Sequence, residues 1–220
     1  MSIRKFSPPN RTDSGVHRLH IWLATAELYG GDAQTSTKIF EQLIAAQPEN
    51  IEVRASYAEF CWLTRSDCAQ AGIDFVTKSF PELRLTTHGY TAATLQSYLW
   101  RQDGKDEQAQ PLIDSTLAAN NKSIESGDSS FQPAYENAAL SQINDDRDGA
   151  LTWLERAVDA GFTDPYAMAL DPILAPLAGE PRFKALQARL HEQMRDMRSR
   201  VDFSDVDRLI AASNPMAKLD

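Results

Sequence analysis

Residues 36–48 read Ser36-Thr37-Lys38-Ile39-Phe40-Glu41-Gln42-Leu43-Ile44-Ala45-Ala46-Gln47-Pro48. A small residue, a large apolar one four positions on and a second apolar one three further on share one face of an α-helix. A proline just past the last turn stops such a helix. The spacing returns as Ala150, Leu154 and Ala157, and in part as Ala109 and Ile113. Each copy follows a segment with a small residue near its centre: Ala24, Ala58, Ser97 and Ala138. A small residue where two helices cross lets them approach, and the large residue on the partner fills the groove.

Read outward from this stretch, the chain is helical throughout. The first predicted pair is Gly15–Tyr29 and Ala33–Ala46, broken at Gly30-Gly31-Asp32, where glycine accepts tight-turn backbone angles. The second is Ile51–Thr64 and Cys68–Ser79, joined by Arg65-Ser66-Asp67, with Asp67 as N-cap. The third is Thr87–Arg101 and Asp106–Ala119, joined at Gln102-Asp103-Gly104. Pro111 falls inside that last helix and is expected to kink it. The fourth is Gln132–Ile143 and Asp148–Ala160, joined at Asn144-Asp145-Asp146 and stopped by Gly161. Residues 120–130 are polar and turn-forming and read as a loop or frayed helix end. Long alternating runs of Val, Ile and Thr are missing, so the expected class is all-α. Repeats begin near His17, Ile51, Tyr90 and Phe131, at intervals of 34, 39 and 41 residues. In the second copy the register falls at Gln70 or Ala71.

These residues resemble the tetratricopeptide repeat (TPR), with Gly31 and Gly104 as its turn glycines. The resemblance implies an α–α superhelix (an alpha solenoid) of about four helix pairs, spanning 15–200 with a C-terminal cap. Residues 1–14 are expected as a flexible tail and 201–220 as a short C-terminal helix and tail. Asp171-Pro172-Ile173-Leu174-Ala175-Pro176-Leu177, then Glu180-Pro181-Arg182-Phe183, is similar to the ending of repeat modules in bacterial signalling and regulatory proteins. There Phe162, Ile173, Leu174, Leu177 and Phe183 would cover the last repeat, since repeats must stack to bury their apolar faces. The following helix carries Phe183, Leu186, Leu190, Met194, Met197 and Val201 on one face. That stripe is expected to pack back on the array. The alternative is pairing with a second chain, a homodimer through 183–201.

Composition narrows the function. With 220 residues, 42% hydrophobic and 24% charged, a single globular domain is expected. The formal net charge of −9 repels phosphate backbones and disfavours nucleic acid as a partner. Arg189, Arg195, Arg198 and Arg200 form the one basic stretch, diluted by Glu192 and Asp196. The N-terminal residues carry no signal-like apolar run, and no stretch approaches the roughly 18 apolar residues of a membrane span. A cytoplasmic protein without membrane partners is therefore expected. Cys61 and Cys68 match neither a Cys-x-x-Cys motif nor a disulfide framework and read as small, partly buried residues in a reducing compartment.

Chemistry-bearing motifs are weak. His17 and His20 share a helix face without further ligands at metal spacing. They read as a polar patch, and His88 and His191 are isolated. Asp145, Asp146 and Asp148 are a solvated acidic turn rather than a calcium loop. No phosphate loop or nucleophile elbow is present. The expectations are no enzyme, no cofactor and no metal.

What remains is a groove. The resemblance places the first helix of each pair on a concave face and so assigns partner contacts to Arg18, Thr25 and Tyr29, then Glu52, Glu59 and Trp62, then Tyr98 and Arg101, then Tyr135 and Gln142. Aromatic and arginine side chains dominate binding hot spots. The family's carboxylate clamp of Lys and Asn is not matched, because Ile21, Thr25, Ala55 and Glu59 stand there. The expected function is a protein–protein interaction scaffold or adaptor taking a partner peptide or helix on an open face that displays Trp62, Tyr98 and Tyr135. The alternative is a regulatory or oligomerisation module acting through the C-terminal helix.

Overall fold

One backbone device closes the first helix of each of the four pairs. The N–H groups of Asp32, Ser66, Lys105 and Asp146 donate to the carbonyls of Glu27, Cys61, Trp100 and Ser141, the Schellman closure that ends a helix with one left-handed residue. That residue is Gly31 (φ 91°), Arg65 (φ 54°), Gly104 (φ 70°) and Asp145 (φ 60°). Their separations repeat the 34, 39 and 41 residues of the sequence periodicity. Each closure turns the chain back within about three residues, so each helix pairs with the next.

The computed structural model describes residues 14–85 and 89–202. Over them run α1 (Ser14–Tyr29), α2 (Ala33–Ala46), α3 (Ile51–Leu63), α4 (Cys68–Ser79), α5 (Ala92–Gln102), α6 (Asp106–Glu125), α7 (Gln132–Ile143), α8 (Arg147–Asp159), α9 (Pro165–Leu170) and α10 (Pro181–Ser199). The most extensive contacts are α1 with α2, α3 with α4, α5 with α6 and α7 with α8. Successive pairs touch through α2–α3, α4–α5 and α6–α7, and α10 lies on α8 and α9. The expected tails, most of 1–14 and of 201–220, fall outside the described residues, as do His88 and the start expected at Thr87.

The small residues sit where the helices cross. Ala24, Ala58, Ser97 and Ala138 are at most 1% exposed, as are Ser36, Ala109 and Ala150 opposite them. A Cβ on Gly72 would stand 2.8 Å from that of Ala58, so α3 and α4 approach as closely as side chains permit. The second pair corrects the register read from sequence. Ala69, Ile73 and Val76 are buried, whereas Ala71 is exposed and Gln70 half-buried.

Other expectations change too. The N-cap oxygens of Asp32, Asn50, Thr91, Asp146 and Asp164 accept backbone N–H groups, but Asp67 does not, because its backbone is already helical. The sixth helix continues past Pro111 and beyond Ala119 to Glu125, since Asn120 turns inward. Cys61 and Cys68, read as separate thiols, are joined: the Schellman turn brings their Cα atoms to 5.6 Å and the sulfurs form a disulfide.

Between α4 and α5 an isolated antiparallel bridge joins Arg84 to Thr91. Fully buried Glu136 on α7 anchors it. Its Oε1 accepts the Thr91 N–H (2.5 Å) and the Thr91 and Thr94 hydroxyls, and its Oε2 accepts from Arg84 (3.1 Å) and Asn120 (3.0 Å). A buried carboxylate is tolerated when its lone pairs are all engaged in this way.

Candidate functional site

The segment after α8 decides what the inner face presents. Phe162 is buried, its ring 4.4 Å from that of Tyr135 and 5.4 Å from Phe131. Tyr135 stacks on Tyr90 at 5.3 Å, and Trp62 meets Tyr90 edge-on at 6.0 Å. One aromatic column thus runs from α3 to the end of α8. Asp171, fully buried, locks the cap onto it. Its Oδ2 accepts the hydroxyls of Tyr90 (2.5 Å) and Tyr135 (3.1 Å), while its Oδ1 accepts the N–H of Ile173 (2.9 Å). Burial, and then the negative charge of Asp171, push both phenols well above their ordinary value.

This corrects the expected open face. Tyr135 is 0% and Trp62 2% exposed, because the chain's own segment 162–177 lies where a partner was expected. The reading of Phe162, Ile173, Leu174, Leu177 and Phe183 as a covering layer corresponds to side chains that are all buried.

Two clefts open beside the cap and meet at Tyr98, Gln102, Pro172 and Pro176. The first, about 640 Å³, adds Arg101, Asp106, Gln110, Gln142, Asn144 and Asp145 and is polar. Arg101 pairs with Asp106 (3.0 Å), donates to Asn144 (3.2 Å) and bonds Gln110. The Oε1 of Gln142 accepts no hydrogen bond although the residue is only 8% exposed. The second cleft, about 560 Å³, is walled by Trp62, Ala69, Leu99 and the two prolines, with Arg65 and Ser66 at its rim. Arg65 is exposed and forms no ion pair among the described residues. Burial raises the Tyr98 phenol, the nearby Arg65 charge opposes that rise, and Asp171 adds to it.

Of the residues assigned from sequence, Tyr98, Arg101 and Gln142 come together in the polar cleft, and Trp62 lines the other. Arg18 and Glu52 lie elsewhere, as an ion pair of 2.8 Å between α1 and α3 that also takes His17 at 3.1 Å. Burial pushes the Glu52 carboxyl up, but the His17 and Arg18 bonds outweigh it and hold it low. His17 is thus buried at a helix junction, not part of a surface patch. Thr25 turns its hydroxyl back to the Ile21 carbonyl, and Glu59 is buried beside it. Tyr29 stacks on Tyr166 of α9 at 6.0 Å.

Sequence reasoning missed Arg65, Pro172, Pro176 and Asn144. Arg65 and Asn144 read only as turn residues, and the prolines only as parts of a cap. The signal was there in a charged residue at the left-handed turn position that carries glycine in two other pairs. Among the described residues no group of three or more His, Cys, Asp or Glu is placed to hold a metal ion, and no helix is long and apolar enough to cross a membrane.

No family model, curated protein or solved structure matches this chain.

Proposed function

We propose that this is a protein-interaction scaffold of tetratricopeptide type that holds a partner's peptide or helix in the paired clefts beside the cap. One observation carries the reading: two adjoining clefts of about 640 and 560 Å³ share Tyr98 and open on a face built from three helix pairs and the cap. Recurrent helix pairs with matching closures support the repeat reading. Volumes of this size suit several side chains of a bound segment. The test compares capture of partners by the wild type and by a Tyr98→Ala, Arg101→Ala variant of matched thermal stability. A partner retained only by the wild type supports the reading. Equal retention by both moves the contact away from the clefts and ends it.

A second reading, self-association, rests on α10. Phe183, Leu186 and Leu190 are buried, but Met197 is 45% and Val201 53% exposed, so the stripe packs back only over its first half. Sedimentation at rising concentration separates the cases. A dimer abolished by Met197→Glu supports it, and a monomer at all concentrations ends it.

A further inference from the structure

The two clefts differ in charge, and the difference gives the shared groove a direction. At the rim of the proline-walled cleft Arg65 is an unpaired cation. Across the waist at Tyr98, Arg101 is neutralised by Asp106 at 3.0 Å, and exposed Asp145 leaves that end net negative. Between them the walls are apolar: Trp62, Leu99, Pro172 and Pro176. The polar end also holds a built-in deficit. Gln142 Oε1 is an acceptor with no donor, in a residue more than nine-tenths buried that lines the cleft. Leaving a buried polar atom unpaired is costly, so a ligand that supplies an N–H there gains what the free protein lacks.

We propose that the occupant is an extended peptide read in order: an Asp or Glu side chain at Arg65, an apolar side chain between Trp62 and the two prolines, then a Lys or Arg side chain toward Asp145, with a main-chain N–H given to Gln142. This rests on the scaffold reading above and specifies its ligand. Opposite charges at the two ends favour one chain direction and reject the reverse, because a reversed peptide sets like charges together at both rims. The order does not depend on Tyr90, Tyr135 or Phe162, which the cap already covers.

The test uses labelled octapeptides with blocked ends, carrying Asp, Leu and Lys in that order, in reversed order, or with both charges replaced by Ser. Binding is followed by fluorescence anisotropy at low salt, where rim charges count most. The wild type is expected to prefer the ordered peptide about five-fold or more over the reversed and neutral ones. Arg65→Glu, at an exposed position, is expected to remove that preference and to accept a peptide with Lys in place of Asp. Asp145→Asn, which keeps a residue tolerant of left-handed backbone, is expected to lose the Lys contribution alone. Equal binding of all three peptides, lost on Tyr98→Ala, overturns the charge order and leaves the scaffold reading standing. Binding of no octapeptide at all overturns both, and so does ordered binding that survives Tyr98→Ala unchanged.

Discussion

At the scale of single residues, the left-handed positions at the turns within the four helix pairs are chemically unequal. Two are glycine, while Arg65 and Asp145 carry a Cβ into the same conformation. That costs an L-residue roughly 1–2 kcal/mol, less for Asp, whose side chain bonds locally. Arg65→Gly is therefore expected to stabilise the protein by about 1 kcal/mol, with a smaller gain for Asp145→Gly, in urea unfolding. A loss of stability at Arg65→Gly would mean that the side chain is held by contacts not visible in the fold. Tyr90 and Tyr135 make a second prediction. Their folded pKa values lie above the ordinary 10.0, so the folded state favours the protonated phenols. Their contribution is complete below that pH and is lost as pH rises above it. The phenolate signal of these two is expected to appear only together with loss of helical circular dichroism. Titration of all six tyrosines near their ordinary value with the helices intact would contradict the burial.

At the scale of elements, the α3–α4 pair differs from the other three in being tied covalently. The Cys61–Cys68 bond closes a short loop, which by chain entropy stabilises the pair by about 2–3 kcal/mol. The same loop presents Trp62, Arg65 and Ser66 to the second cleft. Cys68→Ser is expected to lower stability by that amount while leaving α7 and α8 protected from hydrogen exchange. A free-thiol assay on protein purified without reductant should find none. Two free thiols would instead match the reducing, cytoplasmic setting expected from the sequence, since disulfides persist mainly in oxidising compartments. The register of α4 belongs to this scale as well. Gln70 and Ala71 are plausible by pattern, yet Gly72 must sit against Ala58, and that contact turns Ala69 inward.

At the scale of the whole molecule, the cap is an internal component rather than an end piece. Asp171 joins the residue before the N-cap of α5, the first turn of α7 and the turn after α9 through one buried carboxylate. Asp171→Ala removes a buried acceptor shared by the Tyr90 and Tyr135 hydroxyls and the Ile173 and Leu174 N–H groups, and is expected to cost roughly 3–5 kcal/mol. Tyr135→Phe leaves Asp171 its bond from Tyr90 and is expected to cost less, about 1–2 kcal/mol. Equilibrium unfolding of both checks the ranking. An Asp171→Ala protein within about 1 kcal/mol of wild type would mean that the cap is not fastened there.

The sequence by itself determined the helices, the turns between them and the repeat interval, because these follow from local rules. Helical spacing puts Ser36, Phe40 and Leu43 on one face, glycine marks Gly31 and Gly104 as turns, and Pro48 stops a helix. The resemblance named Tyr98, Arg101 and Gln142 as candidate contacts, and the structure places all three along one cleft. Only the tertiary structure decided that Trp62 and Tyr135 are covered, that Cys61 meets Cys68, and that Pro172 and Pro176 wall a cleft with Arg65. Each of these depends on where the chain after α8 returns across the array. That path is fixed by Asp171 finding Tyr90 and Tyr135, residues 81 and 36 positions away, and no local periodicity encodes such a meeting.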